Sequence, residues 1–129
     1  MSSYTFGKTV SSGFEQAVDK VTEALAKEGF GVLTEIDVAA TLKKKIGQDM
    51  SPYKILGACN PQLASQAIAA EPQIGALLPC NVVVRADERG ATRVEFMDPQ
   101  AVLTLVERPG IATLAGEVRE RLTRVMDAL

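Results

Sequence analysis

"NVVVRADERGATRVEFMD", residues 81–98, decides the fold. "NVVVRA" and "TRVEFMD" read as two strands joined through "DERG", where Gly90 supplies the turn. A hairpin pairs its strands antiparallel, so the sheet grown from it starts antiparallel. Upstream, "YKILGAC", residues 53–59, reads as a buried central strand, and "NPQLASQAIAAE" as the helix that follows it. Asn60 is a good N-cap there, and Pro61 takes the first helical position, where its missing N–H costs nothing.

Further toward the N-terminus, residues 3–10 are short and β-prone. Ser12 with Glu15 three places later forms a capping box. Phe14, Ala17, Val18, Val21 and Leu25 then follow at helical spacing, and Gly29 stops the helix. "FGVLTEI", residues 30–36, is the next strand. Asp37 caps a second helix whose buried line is expected to be Val38, Leu42 and Ile46, ending in Lys43, Lys44 and Lys45 before Gly47. Those lysines sit where cations oppose the negative end of the helix dipole, and that preference explains them without an anion site.

Downstream, Asp98 and Pro99 repeat the cap-then-proline device, so "PQAVLTLV" reads as helical. In the last helix Ile111, Leu114, Ala115, Val118, Leu122, Val125 and Met126 form one apolar face. Nearly every helix has a single apolar stripe and several strands alternate. The expected fold is therefore α+β: one two-layer domain over residues 1–129, a mostly antiparallel sheet with helices packed on one face. A doubly wound nucleotide-binding domain is the alternative, but "GACNPQ" is neither a Walker loop nor a dinucleotide fingerprint.

Composition narrows the function. The chain has 129 residues, a charged fraction of 23% and a net charge of −2, which leaves no basic face for nucleic acid. Its uncharged stretches are broken by Gly, Asn, Pro, Ser and Gln, so no membrane span is expected. "MSSYTFGKTV" does not read as a secretory signal, and a cytoplasmic address, where thiols stay reduced, is expected. There is no histidine, which removes the commonest general base and metal ligand. No cofactor is implied, and no nucleophile-plus-base constellation points to an enzyme.

The remaining chemistry lies at two cysteines, each followed by asparagine: Cys59–Asn60 and Cys80–Asn81. Cys59 ends a strand just before a helix cap, where unpaired N–H groups favour a thiolate. Cys80 opens a strand. If those strands are neighbours the sulfurs approach, as a redox or sulfur-carrying pair or as ligands for a soft ion such as Cu(I) with Met50 or Met97. Both cysteines can equally be packed as small hydrophobes. Among the acids, Glu35 and Asp37 are two apart and would share a strand face, while Asp37 and Asp98 each have a capping role that suffices.

The runs "GFGVLTEIDVAATLKKKIG", "YKILGACNPQLASQAI", "IGALLPCNVVVR" and "VEFMDPQAVL", followed by an amphipathic helix, resemble the family known as domain of unknown function 302, from about Tyr4 to the last helix. The resemblance implies a compact α+β domain and a homodimer. It places the family's pattern on Glu35, Asp37, Gly57, Cys59, Asn60, Pro61, Pro79, Cys80, Asn81, Asp98 and Pro99. It implies no reaction. Two readings follow: a thiol-handling or soft-metal or small-ligand module centred on Cys59 and Cys80, or a non-catalytic, homodimeric binding domain with structural cysteines.

Overall fold

The computed structural model describes residues 3–129. Thr92–Met97 (β5) pairs with Cys80–Ala86 (β4) as the hairpin expected from the sequence, closed through Gly90 at φ 79°. Thr5–Val10 (β1) adds to the outside of β5, Tyr53–Cys59 (β3) to the other side of β4, and Gly31–Asp37 (β2) to β3. The five strands run in the order β1-β5-β4-β3-β2, and every pairing is antiparallel.

Alternation along the strands separates two faces. Leu56 and Ala58 of β3, Val82 and Val84 of β4, and Val94 and Phe96 of β5 all turn to one face and are buried. Two helices, Phe14–Lys27 (α1) and Ile111–Asp127 (α5), lay their apolar stripes on it, burying Val21 and Leu25 from the first and Leu122 and Val125 from the second. Phe6 stacks on Phe96 with ring centroids 5.4 Å apart, extending this core to the β1 edge. The other face is more polar: there Arg85 Nε donates to Glu95 Oε1 at 2.6 Å. That guanidinium holds the Glu95 carboxyl below its ordinary pKa.

Val38–Ile46 (α2) follows β2, and Pro61–Ala70 (α3) follows β3. From α3 the chain makes a 3₁₀ stretch, Pro72–Leu77, and a cis Leu78–Pro79 bond before entering β4. Pro99–Val102 (α4) tightens into a 3₁₀ turn over Leu103–Leu105, so the helix expected over "PQAVLTLV" is only four residues long. Ala67, Ile74, Leu103, Ile111 and Ala115 form a second, smaller apolar cluster under α3, apart from the main core.

Several local expectations need correction. The cap of α1 is Gly13, with no side-chain bond, because the helix starts one residue later than a Ser12 cap requires; Ser12 Oγ instead accepts from Lys20 Nζ at 2.8 Å. Of the line Val38, Leu42, Ile46, none is fully buried: Val38 and Leu42 are half-buried beside β2 and β3 at the sheet edge, and Ile46 is exposed. Ile68 of α3 is 47% exposed, because that helix seats Leu63 and Ala67 instead. No helix of the described residues is long and apolar enough to cross a membrane.

Candidate functional site

The strand order brings the cysteines together. Cys80, first residue of β4, pairs with Ala58 of β3, so Cys59 is one step further along the neighbouring strand. One diagonal step across the β3–β4 pair therefore separates the two residues. Both are free thiols. The chain turns at Cys59 into α3, and both residues line one cavity of about 50 Å³. Leu63 and Ala67 of α3 form one wall, and Leu114 and Val118 of α5 another. The cavity lies at the seam between the two apolar clusters.

The two thiols have different surroundings. Cys80 is 7% exposed and sits within the main core, whereas Cys59 is half-buried. Burial, reinforced by the charge a Cys59 thiolate would carry, pushes the Cys80 pKa up to about 11. Cys80 is thus a protonated thiol at neutral pH, and Cys59 is the sulfur that solvent reaches first.

The elements holding Cys59 are fixed by small residues and a cap. Asn60 Oδ1 accepts from Leu63 N at 3.2 Å, the N-cap bond expected of it. Gly29, at φ 85°, gives Asn60 its room: a Cβ there would stand 2.9 Å from Asn60 Nδ2. Gly57, two residues before Cys59, is buried in the same way, since a Cβ would overlap Thr34 Oγ1 and lie 2.9 Å from Pro79 Cγ. Gly57→Ala is expected to cost about 1–2 kcal/mol, less than a fully enclosed site because Thr34 lies on an edge strand and can turn. Thr34→Ala in the same chain should restore part of that loss in urea unfolding. Strictly additive costs would show that the close approach at Gly57 is not the cause.

The other residues singled out from the sequence lie elsewhere. Glu35 and Asp37 do share a face of β2, but Glu35 Oε1 is 2.9 Å from Lys54 Nζ, and Asp37 Oδ1 accepts from Ala40 N at 2.9 Å as the cap of α2. The bond to Glu35 raises the Lys54 pKa. Asp98 caps α4 through Gln100 N at 2.9 Å and also pairs with Arg119, whose guanidinium stacks over the Phe6 ring at 3.9 Å. Asn81 is exposed on the face of β4 away from Cys80. Met50 lies in a cleft with Asp37 and Tyr53, and Met97 opposes Thr5 across β5 and β1, so neither reaches the cysteines as a third ligand.

Among the described residues no group of three or more His, Cys, Asp or Glu is placed to hold a metal. The cysteine cavity offers two sulfur ligands and no more, which suits a two-coordinate soft ion and not a four-coordinate zinc. A wider open groove of about 590 Å³, floored by Leu103 and Ala115 and rimmed by Gln100 and Arg108, contains neither cysteine. The walls Leu114 and Val118 were visible in the sequence as a helix stripe. Their meeting with Cys59 and Cys80 depends on the β3–β4 pairing, for which no local signal exists.

Comparison with known proteins agrees with this fold. No curated protein matches the chain. A solved structure described as the crystal structure of uncharacterized conserved protein DUF302 from Bacillus stearothermophilus superposes with a TM-score of 0.91 at 30% identity, covering 98% of each chain. The model of the family "Domain of unknown function DUF302" matches residues 6–129. From β1 to the last residue of α5 and beyond, then, this chain belongs to the DUF302 family.

Proposed function

We propose that this protein is a small thiol-handling module in which Cys59 and Cys80 act as a pair across the apolar cavity. The observation that carries this reading is the convergence of the chain's two cysteines, twenty-one positions apart in sequence, on one cavity formed by adjacent strand ends. Cys59, half-buried beside a helix N-terminus, is the entering thiol, and Cys80 is the second sulfur. Faced with a low-molecular-weight disulfide, the Cys59 thiolate attacks one sulfur and expels a thiolate. Cys80 then attacks the Cys59 sulfur of the mixed disulfide and expels the second. Two thiol protons pass to the leaving groups, the pair is oxidised by two electrons, and the reagent is reduced to two thiols.

The cavity is small, about 50 Å³, so it has room for an ion or a few water-sized groups. A Cu(I) ion held linearly by both sulfurs satisfies that limit, whereas an organic ligand needs several hundred Å³. Oxidising the reduced protein with a small disulfide, or loading it with Cu(I), tests the reading by intact-mass measurement. The expected products are a monomer lighter by two hydrogens and a one-to-one copper complex, both lost in Cys59→Ser and in Cys80→Ser. Stable mixed disulfides at Cys59 that never close, together with no copper uptake, would sink the proposal.

One observation supports the second reading, a binding domain with structural cysteines: Cys80 packs in the main core as a small hydrophobe does. Under that reading the doubly substituted protein keeps its fold and every interaction of the native chain.

A further inference from the structure

The cavity between the two cysteines, at about 50 Å³, has room for reacting sulfurs and leaves the organic halves of a disulfide outside. The surface beside Cys59 therefore governs which halves are accepted. That surface is an open groove of about 560 Å³, large enough for an amino acid or a short peptide. Asn60, joined to Cys59 by a peptide bond, lines both the groove and the cavity, as does Leu63.

The groove is polar and carries both signs of charge. Helix α5 supplies Arg121 and Glu117, one turn apart, and α3 supplies Gln62 and Gln66. Arg121 is held in place: Nη1 donates to the Glu28 carbonyl at 2.9 Å, while Nε and Nη2 donate to Glu117 Oε2 at 3.3 and 3.2 Å. A guanidinium has five N–H groups, so one on each terminal nitrogen stays open. Both bonds to Glu117 reach the same oxygen, and Oε1 accepts none among the described residues. Asn60 Nδ2 likewise donates to none of them, since the cap of α3 uses only Oδ1. Gly29 keeps these donors uncovered. A Cβ there would stand 2.9 Å from Asn60 Nδ2 and 3.5 Å from Arg121 Nη1, so both nitrogens face one hollow that a side chain would fill.

We propose, resting on the thiol-handling reading, that this groove selects the disulfide of an α-amino-acid thiol or a short peptide thiol, bound through its carboxylate and its ammonium group. The carboxylate takes the open N–H groups of Arg121 and Asn60 Nδ2, and the ammonium takes Glu117 Oε1. A purely anionic reagent would face Glu117 unpaired and a purely cationic one Arg121, whereas a zwitterion satisfies both. With the reagent seated, the Cys59 thiolate bonds to the near sulfur and the reagent's own S–S bond breaks. The far half leaves as a thiolate and takes up the proton that Cys59 released. Cys80 then attacks the Cys59 sulfur, and the near half leaves with the Cys80 proton. The cysteine pair is oxidised by two electrons and the reagent is reduced to two thiols.

Oxidation of the reduced full chain by four small disulfides tests the selection: cystine (zwitterionic), cystamine (cationic), dithiodipropionate (anionic) and hydroxyethyl disulfide (neutral). Each rate is divided by that of the same reagent with a small model thiol, which removes intrinsic reactivity. Corrected in this way, cystine should react about tenfold faster than the neutral reagent, the gain of one charge-assisted hydrogen bond. Arg121→Gln should turn the preference toward cystamine, and Glu117→Gln toward dithiodipropionate. A loosened fold would instead move every reagent together. Arg124→Gln removes the same charge further along α5, outside the groove, and should keep the wild-type order of reagents. Equal corrected rates for all four, with normal closure of the Cys59–Cys80 bond, would overturn the selection and leave the thiol reading standing. So would an order shifted as far by Arg124→Gln as by Arg121→Gln, which means charge acting at a distance. Failure of Cys59 to react with any of the four, or to close onto Cys80, would remove the thiol reading and the selection with it.

Discussion

In the folded, reduced protein one thiol is expected to react with a small alkylating reagent quickly and the other about a hundredfold more slowly than in denaturant. Only the thiolate attacks. A thiol with its pKa near 11 is ionised in roughly one molecule in a thousand at about pH 8, against roughly one in ten for a cysteine at its ordinary 9.0. The slow thiol is Cys80, which burial also hides from the reagent. Cys59→Ser should therefore leave only the slow phase, and Cys80→Ser only the fast one. In strong denaturant the two phases should merge. The slow rate should also climb close to tenfold per pH unit up to about pH 11, which separates suppressed ionisation from a pH-independent opening of the fold. Comparable rates for both cysteines in the native protein would remove the asymmetry on which the order of attack at Cys59 and then Cys80 rests.

That asymmetry lies beyond what the sequence encodes locally. "GACNP" and "LPCNV" share a dipeptide, and what can be read from each is its own surroundings: Asn60 and Pro61 mark a helix start, and "NVVV" marks a strand. Both marks are correct, because capping and alternation act within four residues. Burial of Cys80 arises instead from α5, more than thirty positions away, whose Val118 closes the cavity. Asp98 shows the same division. Its cap on α4 was legible from "DP", while its pairing with Arg119, twenty-one residues on, was not, since an ion pair between elements leaves no trace in spacing.

Periodicity also identifies an apolar face without identifying what covers it. The stripe of α5 meets the sheet as expected, with Ile111, Val118, Leu122 and Val125 all buried. The stripe of α2 has equally good spacing, yet Val38 and Leu42 are only half-buried beside β2 and β3 and Ile46 is exposed. Length explains the difference: α5 has 17 residues and spans the sheet, while α2 has nine and is carried at its edge by β2, the outermost strand. The antiparallel architecture was legible from the hairpin of residues 81–98, because a short turn admits only one strand direction.

The second large effect is alkaline. Folding raises the Cys80 pKa above its ordinary 9.0 to about 11, so the folded chain holds that proton more tightly than the unfolded one. The stabilisation is fully present below about pH 9 and is lost as pH climbs from there through about 11. Two pH units at about 1.4 kcal/mol each amount to about 2–3 kcal/mol, a large fraction of the stability of a domain this size. Lys54, whose pKa the bond to Glu35 raises, adds an alkaline titration of its own, so the total alkaline loss belongs to no single group. Comparison with Cys80→Val isolates the cysteine. The substitution alters packing by a constant amount but removes the titration, so urea-derived stability plotted against pH should fall less steeply for the variant above about pH 9. The two curves, offset at neutral pH, are expected to converge or cross by about pH 10.5. Parallel curves would mean that a Cys80 thiolate finds solvent in the folded protein. The cavity at the β3–β4 end would then be open to water, and the slow labelling of Cys80 would vanish with it.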